Sequence, residues 1–303
     1  MALLEVAARV IRRHAIPLLA VAVLFQLPSS LVDAAAQQHL GHALAPVLVG
    51  LDDDAPRVLT PTPEQARSIL EALLLLAGSS IVGTLLGAIA TLAFTAAVLA
   101  DYHGRRPTVG GMIRTALGRA LPALGAALLA SLALLGVIAG AVALAAGALT
   151  FLPSPDGNVG GLGAFLAILV AVAAAVTAVV VIVRLALHAA VLAGEPGGAI
   201  QALRRSWHLT ADNTWRSFAV LATVAILMTI IGSTILELVA VVVTVGIAAG
   251  MGLADASDAL IAALVSTLLA PVGGVVLGVL YLDLRVRRDG WQPVIVEEGA
   301  AAA

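Results

Sequence analysis

Residues 160–192 read GGLGAFLAILVAVAAAVTAVVVIVRLALHAAVL. Arg184 and His188 are the only ionisable side chains in that run. A helix needs about 20 apolar residues to cross the hydrocarbon of a bilayer, so a run this long reads as a spanning segment. Five more runs of the same kind lie between charged residues: Ala15–Val32, Ala72–Ala100, Leu121–Leu152, Phe218–Met251 and Ala259–Leu282. Glu237 interrupts the fifth span and Pro271 falls within the sixth, where it should kink the helix or open a gap that neighbours fill. Several runs exceed the ~30 Å hydrocarbon thickness at 1.5 Å per residue, so tilted or protruding helices are expected. The pattern predicts an all-α polytopic membrane protein with six transmembrane helices.

Composition points the same way. The chain of 303 residues is 61% hydrophobic and 11% charged, with a mean hydropathy of +1.09. A soluble domain is about 25% charged. With no cysteine, disulfides, thiolate metal sites and cysteine catalysis are excluded. The net charge of -2 argues against a nucleic-acid partner. Membrane lipids are the partners implied; a protein partner and an oligomeric state are not legible.

The arginines fix an expected orientation. Arg9, Arg12 and Arg13 precede the first span; Arg105, Arg106, Arg114 and Arg119 follow the second. Arg204, Arg205 and Arg216 follow the fourth; Arg285, Arg287 and Arg288 follow the sixth. The other side carries only Arg57 and Arg67, beside Asp52–Asp54, Glu64, Asp156, Asp255 and Asp258. The arginine-rich side should be cytoplasmic, with both termini on it, as in a multi-pass protein of the cell membrane. Arg12–Arg13, the apolar run and Ala34–Ala36 also resemble a signal peptide. Pro28 and Asp33 crowd the cleavage region, so an uncleaved span is preferred.

An internal repeat is suggested. The even-numbered spans end at Asp101, Glu195 and Asp283, each followed by a turn and arginines. Leu4–Arg13, Gly110–Arg119 and Gly197–Arg205 precede odd-numbered spans with apolar residues at i, i+3 and i+4 and arginine opposite, the pattern of short interfacial helices. Thr108 is placed to cap the second. The six-span domain, 1–290, then divides into units 1–101, 102–195 and 196–283, and 291–303 is a cytoplasmic tail expected to be disordered. Any multi-span protein also gathers charge at its inner edge, which is the competing account.

Arg184 is the sharpest candidate for a site. A charge inside a span is costly, and is paired or functional. His188 and Glu195 follow on the same helical face, and Asp101 and Asp283 end neighbouring spans; a cross-helix acid, Asp283 or Asp101, is the favoured partner. Two readings stand, structural pairing and a substrate or head-group site. Glu237 reads as a carboxylate at the outer edge of the fifth span. His39 and His42 share a helical face in the first outer loop and, with Asp52–Asp54, could hold a metal, although a solvated loop has the same composition. No metal site is expected on that signal alone. The pairs Gly83/Gly87, Gly136/Gly140, Gly246/Gly250 and Gly274/Gly278 permit close helix packing, but 29 glycines yield such pairs by chance. There is no Walker loop, Gly-x-Ser-x-Gly or His-Glu-x-x-His motif, so no catalytic residue and no cofactor are expected.

Two patches add a resemblance. Arg184-Leu185-Ala186, Val191-Leu192, Glu195 and Ala202-Leu203-Arg204-Arg205-Ser206-Trp207-His208-Leu209-Thr210 form one; Leu280 to Gly290, with Tyr281, Asp283, Arg285, Arg287 and Arg288, forms the other. Together they resemble the membrane-domain family named after glycerophosphoryl diester phosphodiesterases. In some members that domain is fused to a soluble catalytic barrel. The barrel's His-Arg-Gly and Glu-Asn patterns are missing here, and His103-Gly104 is not one of them. The resemblance therefore implies a stand-alone membrane domain and no activity. Arg204, Arg205, Trp207, Arg285, Arg287 and Arg288 are the expected lipid head-group contacts. A lipid-associated scaffold or accessory subunit is the first expectation. A transporter or flippase-like protein for a small or lipidic anion, using Arg184, is the second.

Overall fold

The computed structural model describes residues 2–49, 62–151, 161–248 and 256–290. Among these there is no strand. Ten helices follow one another: α1 (Ala2–Arg13), α2 (Ala15–Val49), α3 (Pro63–Tyr102), α4 (Val109–Gly118), α5 (Ala120–Phe151), α6 (Gly161–Leu185), α7 (His188–Gly194), α8 (Ala199–Ala211), α9 (Thr214–Ala248) and α10 (Ala256–Asp289). Six segments are long and apolar enough to cross a membrane, with α6 and α7 forming the fourth. The chain is an all-α polytopic membrane protein.

The short helices fall where the apolar spacing placed them. On α1, Ala7 and Val10 are buried, while Arg9, Arg12 and Arg13 are exposed. On α4, Met112 and Ala116 are buried and Arg114 is exposed. On α8, Ala202, Ser206 and Leu209 face inward and Arg204 outward. Thr108 caps α4 through its hydroxyl, which accepts from the Gly111 amide at 3.2 Å. A short helix followed by two spans therefore recurs three times along the chain.

Three helices form the centre. α2 packs against α3 and α10, and α3 also packs against α10. Leu18, Val21 and Ala22 of α2 meet Leu92, Phe94 and Ala97 of α3 and Val275, Val279 and Tyr281 of α10 in one buried cluster. Gly274 and Gly278 make the α3–α10 approach possible. A Cβ on Gly278 would lie 3.3 Å from the Thr95 backbone, and one on Gly274 would overlap the Phe94 ring. In lipid, close contact of this kind replaces the hydrophobic drive that assembles soluble bundles. Among the described residues a Cβ on Gly136 or Gly140 would meet nothing within 4 Å, so that pair makes no close approach there. α5 and α6 pair with each other, and most of their large apolar side chains, such as Leu135, Val142, Ile168 and Val172, remain exposed as a lipid-facing surface requires.

The structure departs from the sequence reading in two places. α2 and α3 run well past the expected spans. Thr62 and Gln65 start α3 with a capping box, the Gln65 side chain accepting from the Thr62 amide at 2.9 Å, and Pro63 suits the first turn. Glu64 and Arg67 therefore lie on α3, and His39 and His42 on α2, all outside any loop. The fourth span breaks at Ala186–Leu187 with no proline or glycine there. α10, by contrast, runs through Pro271 as a single helix. Asp52–Asp54, Arg57, Asp156, Asp255 and the 291–303 tail lie outside the described residues.

Candidate functional site at the arginine-rich end

The acids that end the even-numbered spans are each held by cations at the same end of the bundle. Asp101 pairs with Arg13 at 3.4 Å and with His14 Nε2 at 2.7 Å. Asp283 pairs with Arg216 at 3.2 Å and with Arg287, one turn on, at 3.0 Å. Glu195 collects three partners. Arg205 Nε donates to it at 3.2 Å, the Tyr281 hydroxyl donates at 3.0 Å, and Arg285 lies 3.6 Å away. Arg205 also pairs with Asp289. Burial works against the Arg205 charge, but Asp289 and Glu195 outweigh it and hold its pKa above the ordinary value. Arg288 reaches Asp212 at 3.0 Å and the His208 carbonyl.

In the first two units the cation at the junction between short helix and odd-numbered span meets the end of the next span. In the first unit this is the Arg13–Asp101 pair. In the second, Arg119 donates to the carbonyls of Leu192 and Glu195, the latter at 2.5 Å. The third unit differs from the expected register: Arg205 crosses to Glu195 and Asp289, and Arg216 meets Asp283.

Arg184 takes neither of the acids expected for it: Asp101 meets Arg13 and His14, and Asp283 meets Arg216 and Arg287. Its guanidinium lies over the Trp207 ring, 4.9 Å from the centroid, a cation–π contact. The break after Arg184 explains its neighbours. Ending α6 frees carbonyls that a continuous helix would satisfy. The Ser206 hydroxyl donates to the Arg184 carbonyl at 2.7 Å, and His188 Nδ1 donates to that of Leu185, also at 2.7 Å. Arg184 thus joins the fourth span to α8, through its carbonyl to Ser206 and its guanidinium to Trp207, while His188 closes the break within the span. Glu195 is the separate hub at the end of α7. Glu237 is exposed on α9, and His39 and His42 are exposed on α2.

Two groups escaped the sequence reading. Arg105, Arg106 and Arg285 line a cavity of about 510 Å³ with Thr108, Gly111 and Thr115 of the first turns of α4. Arg105 and Arg106 are exposed, and among the described residues neither has an ion-pair partner. The second group surrounds Asp33, at the opposite end of the bundle. Comparison with known proteins yields no relative: no family model, curated protein or solved structure matches the chain.

Proposed function

We propose that this integral membrane protein is a lipid-associated scaffold or accessory subunit with no reaction of its own. In this reading it is a multi-pass protein of the cell membrane with both termini cytoplasmic, and a relative of the glycerophosphoryl diester phosphodiesterase membrane domain. The observation that carries it is the basic cavity at Arg105 and Arg106. Two arginines without acids stand beside the amide groups that open α4, an arrangement that attracts phosphate. Trp207 and Trp215, 43% and 80% exposed, lie at the same end. Tryptophan there suits a head-group layer.

The expected head-group contacts narrow accordingly. Arg205, Arg285, Arg287 and Arg288 serve internal ion pairs. Arg204 and Trp207 remain available, and Arg105 and Arg106 join them. Packing of Arg184 on Trp207 favours the scaffold over an anion pathway through Arg184. The two patches that carry the resemblance also interlock, since Glu195 and Arg205 meet Tyr281, Arg285 and Asp289. The test is native mass spectrometry of the protein released from nanodiscs of mixed phosphatidylglycerol and phosphatidylcholine. The wild type should retain phosphatidylglycerol preferentially, and Arg105→Gln with Arg106→Gln should lose that preference. Equal retention of both lipids by the wild type would reject the reading.

A further inference from the structure

The opposite end of the central bundle holds a polar site that the scaffold reading does not use. Gln26, Ser30, Asp33 and Gln37 recur along α2 at the three- and four-residue spacing of one helical face. Asp33, Ser30, Gln37 and Gln38 line a cavity of about 370 Å³ that Ser266 of α10 completes. Asp33 Oδ1 is buried and accepts no hydrogen bond from any described residue. Its other oxygen lies against α3, where a Cβ on Gly83 would sit 3.0 Å from Oδ2. Glycine at 83 thus leaves room for the carboxylate between the helices.

Depth places this site within the membrane-spanning part. From Ala15 to Asp33, from Gly83 to Asp101 and from Ser266 to Asp283, each helix climbs roughly 25–27 Å at 1.5 Å per residue. The three elements therefore agree on a level just inside the far face of a ~30 Å hydrocarbon layer. A carboxylate oxygen buried there without a partner is costly, and such a group ordinarily marks an ion or substrate site. Among the described residues Asp33 has no ion-pair partner, in contrast to Asp101, Glu195 and Asp283.

We propose that the Asp33 cavity binds a small cation of single positive charge. One carboxylate balances one charge, and the hydroxyl and carboxamide oxygens of Ser30, Ser266 and Gln37 supply neutral ligands. Ca²⁺ demands six to eight oxygens, several of them from carboxylates, and this site offers a single acid. The same chemistry serves an alkali ion or the primary ammonium of a lipid head group.

The test is thermal unfolding of the purified full chain in detergent, at constant pH and ionic strength. Tetraethylammonium chloride, too bulky and lacking N–H donors, is the reference salt. Its replacement by sodium, potassium or ethanolammonium chloride should raise the midpoint of the wild type by several degrees, because a ligand of the folded state stabilises it. A rise with an alkali ion identifies an inorganic ligand, and a rise with ethanolammonium alone identifies a head-group amine. Asp33→Asn should abolish the rise, and Ser266→Ala should raise the half-maximal concentration several-fold, which keeps the test valid if Asp33→Asn fails to fold. Identical midpoints in all four salts would overturn the proposal. So would an undiminished rise in Asp33→Asn, or a midpoint that follows pH alone, since the carboxyl group would then hold a proton.

Discussion

Replacement of Tyr281 by Phe removes a single oxygen from the polar hub at Glu195. The Tyr281 side chain is fully buried, and its hydroxyl donates to Glu195 at 3.0 Å while accepting from Arg285 at 3.1 Å. A hydrogen bond to a charged group contributes about 1.5–3 kcal/mol. The Glu195 side chain is 21% exposed and keeps Arg205, so the lower part of that range applies, about 1.5–2 kcal/mol. Glu195→Gln removes the charge that three groups share and should cost about 2–3 kcal/mol, below the 3–5 kcal/mol of a fully buried pair. At about 2–4 °C per kcal/mol for a chain near this size, Tyr281→Phe lowers the unfolding midpoint by about 3–8 °C. Tryptophan fluorescence during heating in detergent reads it, since Trp207 lies on α8, the helix that carries Arg205. The decisive comparison is the double variant. If Tyr281 and Glu195 act through each other, its loss falls short of the summed single losses by about 1 kcal/mol or more. Additive losses, or a Tyr281→Phe protein as stable as the wild type, would refute the hub.

Three other outcomes are expected. Gly274→Ala drives a Cβ into Phe94 and should cost about 1–3 kcal/mol, whereas Gly136→Ala meets nothing within 4 Å and should stabilise its helix by up to about 1 kcal/mol; equal midpoints for the two would remove the packing role of Gly274. Arg184→Lys should be tolerated better than Arg184→Ala, and Trp207→Leu should cost about 0.5–2 kcal/mol in the wild type but little in the Arg184→Ala background; unchanged cost in that background would deny the cation–π contact. Reporter fusions should read cytoplasmic after Gly104 and after Gly290 and external near Asp53, Asp156 and Asp255, and an external signal after Gly290 would reverse the proposed orientation.

The spans and the short helices were legible because each rests on a local pattern. Sustained hydropathy marks the former, and burial at Ala7 and Val10, Met112 and Ala116, or Ala202 and Ser206 follows the helical period in the latter. Partner choice was not legible. The sequence offers Arg184 several acids at neighbouring span ends, and only the packing shows it on Trp207 instead. The break at Ala186–Leu187 has no proline or glycine to announce it. One tertiary tie, from Ser206, and one local bond, from His188, satisfy carbonyls that it frees. The extension of α2 beyond its apolar run hid Asp33. An acid at the end of a hydrophobic stretch reads as the start of a loop, yet Gln37, Gln38 and the alanines around them continue the helix.

Helices in lipid gain nothing from hiding apolar surface, so the α5–α6 hairpin must be held by particular contacts. α2, α3 and α10 have the Gly274–Gly278 seam and a shared buried cluster. The hairpin buries few of its large side chains, and a main tie runs through Arg119, which bridges the start of α5 to the Leu192 and Glu195 carbonyls that end α7. Those carbonyls belong to the last turn of a helix, where no amide partner exists within the helix and a cation is favoured. Arg119→Ala removes the cation and both hydrogen bonds. Deuterium uptake should then rise over 119–127 and 186–195, while the central stretches 88–98 and 275–284 keep their wild-type protection. Arg119→Lys should restore part of the protection, since one ammonium can serve one or both carbonyls without the planar fork. Uptake that rises evenly through all six spans would place Arg119 in the global stability of the bundle and refute a local tie. Uptake unchanged anywhere would show that the hairpin is held by its apolar contacts alone.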